Sequence, residues 1–329
     1  MREEAVEQRL TEVAAVLDSI GLESSSVAPM SRSRRCQNPL YLIKANDGTF
    51  VLKLKRPVHT RRQALRRRVM GSPTFQRQLA VYRALDRERF SSLRYPRLVA
   101  TDNETFMLLE YIHGPDPSPA PRSNAYMRTL VDCLIEYQTV PLRGKQQRLG
   151  YTGVSMALSP TSTYLRTALT KMRYRHGITI SARCLRAFWT CNAGQPSQAA
   201  PIWLHNDFHH NNVLVGVHGE LYFTDFEQTS EERKWVLVDI VHYATDAYAF
   251  SINLDVIRHY VEQLKEVGSF ATPLDYGAQL RFALLLRSMQ HVVSMAPPQG
   301  VKQQYLSFIS DVLLDDAAYY DWHTKHALL

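Results

Sequence analysis

Apolar positions along the chain follow three different rhythms. Val6, Leu10, Val13, Leu17 and Ile20 recur at helical spacing, which predicts an amphipathic helix over Met1–Gly21 with Gly21 as its stop. Glu23–Leu40 is polar and turn-rich. Two β-rich runs, Tyr41–Lys44 and Thr49–Leu54, then flank Asn46-Asp47-Gly48 and predict a hairpin. Pro73–Asp86 returns to helical spacing through Phe75, Leu79, Tyr82 and Leu85, and Tyr95–Ala100 and Thr105–Ile112 read as short strands. Pro115–Arg122, with four prolines, reads as a linker. Beyond it, Met127–Val140 and Ser162–Arg175 are helical, and Ala199–Leu204 leads into a polar loop. Asn212–Val215 and Leu221–Thr224 form a second hairpin about His218-Gly219, and the chain from Trp235 onward is mostly helical. The pattern predicts an α+β, two-lobed chain. A sheet-rich N-terminal lobe spans 1–112, a hinge or linker 113–122, and a helical C-terminal lobe 123–329.

Length and composition agree with two lobes. A chain of 329 residues buries enough surface to need no disulfide or structural metal. With 45% hydrophobic and 21% charged residues it is neither disordered nor fibrous. Cys36, Cys133, Cys184 and Cys191 form no CxxC pair, which argues against zinc. The charged start MREEAVEQRL has no apolar core of a secretory signal, and no apolar run is long enough to span a bilayer. These features predict a reduced, cytoplasmic protein.

The net charge of +8 is local. Residues 53–68 hold eight Lys or Arg and no acid; without them, basic residues equal the 31 acidic ones in number. Arg61, Arg62, Arg66, Arg67 and Arg68 therefore form a candidate patch for an anionic acceptor or a peripheral membrane contact. A solvated helix face explains the same residues.

The chemistry concentrates in Leu204–Val215 and Leu221–Glu227. Asp207 and Asn212 lie five apart on a polar loop, and Asp225 closes the hairpin that follows. A hairpin folds back on itself, so Asp225 can return to the level of the other two. Such a trio suits phosphoryl transfer. An Asp and an Asn supply oxygen ligands for Mg²⁺ against a triphosphate, and a second Asp accepts the proton of the attacking hydroxyl. Chance spacing of surface carboxylates is the rival account, but apolar runs bracket the loop on both sides.

These residues resemble the aminoglycoside phosphotransferase and choline kinase-like branch of the protein-kinase-like fold. His205-Asn-Asp-Phe-His209-His-Asn-Asn212 is similar to its H-G-D-x-H-x-x-N loop. Asp225-Phe-Glu227 is similar to its I-D-[FW]-[DE] metal motif, Leu108–Gly114 to its hinge, and Val238–Ala244 to its later D-L-A segment. The resemblance runs from about Val27 to Phe250. It implies an ATP- and Mg²⁺-dependent phosphotransferase acting on a hydroxyl of a small molecule or saccharide. Asp207 would be the catalytic base, and Asn212 and Asp225 the metal ligands. Lys53 would pair with the α- and β-phosphates, and the Glu110 carbonyl and Ile112 amide would hold adenine. Lys55 competes with Lys53, since both point to one face of a strand. Lys53 is preferred because it follows Phe50-Val-Leu.

Three positions depart from the family pattern. Gln78 stands where the first lobe's helix carries Glu; it can accept a hydrogen bond from Lys53 but cannot neutralise it. Glu23–Leu40 holds no glycine, so the phosphate loop would rely on backbone amides or on Arg34 or Arg35. Asn206 replaces a glycine, and Asn tolerates the left-handed region. His205 and His209 read as structural and His210 as exposed; Glu227 could assist the metal. Asp239 reads either as a helix cap or as a partner of the catalytic-loop backbone. The alternatives are a catalytically weak, kinase-like binding or scaffold protein, motivated by Gln78 and the glycine-free loop, and a protein kinase, disfavoured by the missing D-F-G and A-P-E. No nucleic-acid partner is expected, because no recognition motif accompanies the basic patch.

Overall fold

The computed structural model describes residues 2–30, 38–55, 74–115, 123–140, 169–175, 202–232, 236–246, 248–267, 276–295 and 297–326. The arginines of the basic patch, Arg34, Arg35 and most of the proline-rich linker lie outside these residues. The chain forms two compact units. One comprises Met1–Arg89, Arg94–Asp116 and Leu214–Glu227, and the other Phe90–Leu93, Pro117–Val213 and Gln228–Leu329.

The first unit is built on a five-stranded antiparallel sheet. Its strands are β1 (Ser24–Pro29), β2 (Leu40–Ala45), β3 (Gly48–Leu54), β4 (Leu98–Thr101) and β5 (Phe106–Glu110), in the order β1-β2-β3-β5-β4. Ala45 pairs with Gly48, so Asn46-Asp47 closes the β2–β3 hairpin as a two-residue turn. Helix α1 (Arg2–Ser19) ends at Gly21, whose φ of +67° is the left-handed conformation that glycine adopts without strain. Its stripe packs as expected at Val13 and Leu17, which join Tyr41, Ile43, Leu52, Leu54, Phe106 and Leu108 in one core. Leu10 is exposed instead. Helix α2 (Thr74–Leu85) buries Phe75, Leu79, Tyr82 and Leu85, the four positions its periodicity picked out.

Strand β1 contradicts the reading of Glu23–Leu40 as turn-rich throughout. SSSVAP has no alternation to detect because it is an edge strand with five of its six residues exposed. Its place is set by the backbone ladder to β2, from Ser24↔Ala45 to Pro29↔Tyr41. The second hairpin pairs β7 (Val213–Val215) with β8 (Leu221–Phe223). Two hydrogen bonds hold β8 to Arg94: the Arg94 amide donates to the Leu221 carbonyl and the Phe223 amide to the Arg94 carbonyl. Beyond β5, Gly114 lies against the Val215 carbonyl so closely that a Cβ there would sit 1.7 Å from that oxygen. Only glycine fits this approach.

The second unit is mainly helical. Helix α3 (Asn124–Gln138) starts on a Ser123 cap, whose side chain accepts from the Tyr126 amide. Strand β6 (Ile202–Leu204) pairs with β9 (Ser230–Glu232) and leads directly into the polar loop. Helices α4 (Val238–Ala244), α5 (Leu254–Val267), α6 (Tyr276–Ser294), α7 (Gln299–Ser307) and α8 (Asp316–Lys325) follow. Trp203, Phe208, Tyr260 and Tyr305 are fully buried among them. Among the described residues no helix is long and apolar enough to cross a membrane.

Candidate active site

Each unit holds one cluster of polar side chains that the sequence singled out. In the sheet unit, Lys53 projects from β3 and is only 5% exposed. A lysine buried that deeply needs an anion. Its Nζ donates to Asp225 Oδ1 at 2.8 Å and lies 2.5 Å from Glu227 Oε1. Burial alone would push the Lys53 pKa down; the two carboxylates outweigh it and hold the ammonium above its ordinary value. Glu227 is itself buried. It accepts from Asn38 Nδ2 at 2.6 Å, and its carbonyl accepts from Arg77 Nη1 at 3.4 Å. Asp225 keeps 43% side-chain exposure, so its carboxylate remains open to a ligand while one oxygen meets Lys53. Its φ is +59°, an uncommon conformation for a residue other than glycine and one that tends to occur at functional sites. Phe226, the next residue, is fully buried and packs edge-on against Tyr82 at 5.2 Å.

This arrangement corrects two sequence expectations. Gln78 is buried, but it is not a partner of Lys53, and its Oε1 has no hydrogen bond among the described residues. The anion that the helix lacks comes from Glu227, which sequence reasoning left as an optional metal ligand. The available signal was the coincidence of Gln at 78 with an acid two residues beyond Asp225. A third carboxylate in this cluster would outnumber its two cations, Lys53 and Arg77. Gln78→Glu should therefore give no gain in activity and lower the stability by about 1–3 kcal/mol, read from urea unfolding, because it buries an additional charge.

Glu110 and Ile112 lie at the end of β5 and just beyond it. The Glu110 amide donates to the Arg97 carbonyl, its side chain pairs with Arg97 at 3.2 Å, and the Tyr111 amide donates to the Thr49 carbonyl. Lys55 sits past the end of β3 and is only partly buried.

In the helical unit the loop after β6 is held by one buried carboxylate. Asp239, 0% exposed in the first turn of α4, accepts from the His205 amide at 2.7 Å, the Asn206 amide at 2.8 Å and Gln138 Nε2 at 3.3 Å. Of the two roles open to it in the sequence, bonding the loop backbone is the one it performs. Burial pushes its carboxyl up, against these donors and the nearby His205. Asn206 sits at φ +62°, the left-handed conformation foreseen for it, and its Nδ2 donates to the carbonyls of Leu204 and Gln228 and to Ser230 Oγ.

Asp207 follows. Its carbonyl accepts from Asn212 Nδ2 at 2.8 Å, which pins the two ends of the loop together and orients the Asn212 amide. His209 Nδ1 accepts from the Asn211 amide and caps the short turn His210–Asn212. His209 Nε2 lies 3.3 Å from Asn212 Nδ2 and 3.7 Å from Asp207 Oδ1. His205 is fully buried and His210 exposed, as the sequence implied.

Two further histidines of this unit, His242 and His291, are buried. His242 on α4 lies against His209 with ring centroids 5.5 Å apart, and His291 on α6 places Nε2 3.2 Å from Thr245 Oγ1. Burial first, and Arg287 second, push both imidazoles down, His291 to about 2. Both are neutral in the fold and take up protons when it opens, where their pKa returns to about 6.5. The stability they confer is thus complete above pH 6.5 and drains away as the pH falls toward their folded values. Unfolding free energy should drop below pH 6.5 by about 1.4 kcal/mol per unit for each histidine. A denaturant series from pH 7 to 5 checks this, and His291→Gln should reduce the slope.

Comparison with known proteins follows this geometry. The model of the phosphotransferase enzyme family (APH) matches residues 33–257, and the chain belongs to that family. It has the protein-kinase-like α+β fold of aminoglycoside phosphotransferases and choline kinase. Spectinomycin phosphotransferase, solved with ADP and spectinomycin, is 12% identical over 91% of this chain and 92% of its own, with a TM-score of 0.53. The phosphotransferase APH(2")-IIa, solved with streptomycin and ATP, is 13% identical over 92% and 96%, with a TM-score of 0.53. Choline kinase LicA from Streptococcus pneumoniae is 13% identical over 92% and 99%, with a TM-score of 0.54. No curated protein matches the chain in sequence. The protein is an enzyme of the phosphotransferase class.

Proposed function

We propose that the enzyme transfers the γ-phosphate of ATP, with Mg²⁺, to a hydroxyl of a small molecule or saccharide, the sugar of a cell-envelope glycolipid among the candidates, in the cytoplasm. The observation that carries this reading is the buried Lys53, held charged between Asp225 and Glu227. Holding a charged lysine in such a place is costly, and it supplies what phosphate oxygens need: a fixed cation beside an open carboxylate. The proposed lobes are 1–112 and 123–329 with the hinge at 113–122, save that Leu214–Glu227 groups with the first compact unit.

Asp207 is the base that accepts the proton of the acceptor hydroxyl. Asn212 and Asp225 are the oxygen donors for the metal, and both fit it. The Asn212 amide is oriented through its Nδ2, and the Asp225 carboxylate is nearly half exposed. Bound there, Mg²⁺ neutralises charge that builds on the transferring phosphoryl group. Lys53 neutralises the α- and β-phosphates, and the Glu110 carbonyl and Ile112 amide grip adenine. His209 holds the loop rather than reacting. The rival reading, a catalytically weak, kinase-like binding or scaffold protein, draws on Gln78 and on the glycine-free loop; Glu227 supplies the anion that Gln78 lacks.

Turnover of ATP to ADP by the full chain tests the proposal. Hydrolysis or transfer should require Mg²⁺ and should fall at least a hundredfold in Asp207→Ala. Metal-independent turnover, or turnover untouched by that substitution, would remove Asp207 and the metal from the mechanism.

A further inference from the structure

Lys53 meets two carboxylates, Asp225 and Glu227. Asp225 also serves as the proposed metal ligand, so its charge is shared between two tasks. Glu227 is the buried partner of the pair. A glutamate side chain is long and flexible, and fixing it in one rotamer costs free energy unless bonds at both ends define it. The sheet unit supplies both bonds. The Glu227 carbonyl accepts from Arg77 Nη1 of α2 at 3.4 Å, and its carboxylate accepts from Asn38 Nδ2 at 2.6 Å.

Asn38 stands shortly before β2 and is 5% exposed. Leu40 pairs with Lys53 across the β2–β3 ladder, and the Leu54 amide donates to the Pro39 carbonyl at 3.0 Å. The ladder thus carries the start of β2 to the end of β3, beside the lysine. The Asn38 amide meets the same carboxylate oxygen, Oε1, that lies 2.5 Å from Lys53 Nζ. A carboxylate oxygen accepts more than one hydrogen bond, so the two donors do not compete. They differ in stiffness. The asparagine side chain is short and tied to the sheet, whereas the ammonium rides on a long flexible stem. Asn38 therefore sets where the oxygen sits, and Lys53 follows it. An amide adds no charge, so it orients the carboxylate without neutralising it.

We propose that Asn38 is a positioning residue for nucleotide binding: through Glu227 it sets the place of the Lys53 ammonium against the nucleotide phosphates. The inference rests on the phosphotransferase reading and adds to its nucleotide site a residue that acts through two others. The α- and β-phosphates stay with the enzyme through transfer, so a misplaced Lys53 costs affinity more than rate. Its contact is with phosphate alone, so binding of a nucleoside is insensitive to it.

Titration of ATP, ADP and adenosine into the full chain tests this. Asn38→Ala should weaken ATP and ADP binding about tenfold, the worth of one hydrogen bond to a charged group, and leave adenosine binding unchanged. KM for ATP should rise by a similar factor, with a much smaller change in kcat. A merely structural asparagine predicts another pattern: a smaller folded fraction, with wild-type affinity for all three ligands in what remains folded. Asn38→Ser, which keeps a shorter donor, should fall between Asn38→Ala and the wild type, and it serves if Asn38→Ala does not fold. Equal weakening of ATP and adenosine, or no weakening of either, overturns the proposal. A double-mutant cycle of Asn38→Ala with Lys53→Met, read from urea unfolding, reports on the linkage without nucleotide. Both substitutions remove a donor from Glu227 Oε1, so their effects should be non-additive, and additive effects also overturn the proposal. If the wild-type chain binds neither ATP nor ADP while the cycle is coupled, the phosphotransferase reading falls and the hold of Asn38 on the Lys53–Glu227 pair stands.

Discussion

Asp225→Asn should reduce phosphoryl transfer at least a hundred- to a thousandfold while leaving the protein folded. The substitution removes one negative charge and keeps the size of the side chain. Asparagine also tolerates the left-handed backbone at φ +59°, so no strain is added. Lys53 retains Glu227, whose carboxylate is the buried member of the pair, so the sheet unit keeps its internal ion pair. The loss is confined to the charge offered to a metal ion. Steady-state turnover and a urea unfolding curve on the same preparation check both halves. Unchanged turnover would remove Asp225 from the site.

Lys53→Met should cost about 3–5 kcal/mol of stability in addition to activity. Methionine fits the apolar stem of the lysine but leaves Glu227, only 6% exposed, without the ammonium it pairs with. Breaking a buried pair from one side strands the other charge, which is the expensive case. Glu227→Gln added to Lys53→Met should recover most of that loss, because the amide still accepts from Asn38 and no longer carries charge. Activity should not return. Unfolding free energies of the two single variants and the double variant measure this. A double variant no more stable than Lys53→Met would show that the Lys53–Glu227 contact is not what holds the cluster.

Much of the candidate site is legible in the sequence. Asp207, Asn212 and Asp225 stand out as candidates because their spacing within a loop and a hairpin is set locally, by strand length and turn chemistry. Lys53 was readable because a lysine closing an apolar strand run is costly without a purpose. Glu227 was not, because its role depends on Asn38 and Arg77, which lie 189 and 150 residues away in sequence. No local pattern carries that information. The same holds for Asp239, whose two possible roles differ only in which backbone amides come within reach. Strand β1 escaped because an edge strand exposed on both faces needs no apolar alternation; the ladder to β2 alone defines it. The basic window at 53–68 shows the opposite limit: its charge is plain in the sequence, and its partner is not.

The central claim is a division of labour, with Asp225 holding the metal–nucleotide complex and Asp207 acting only in the chemical step. Titration of ATP into Asp207→Ala and Asp225→Asn, each with and without Mg²⁺, tests it most directly. Asp207→Ala should bind Mg²⁺-ATP with wild-type affinity, and Asp225→Asn should lose the Mg²⁺-dependent part of binding. Equal affinities in Asp225→Asn and the wild type, or loss of nucleotide binding in Asp207→Ala with its fold intact, would contradict it.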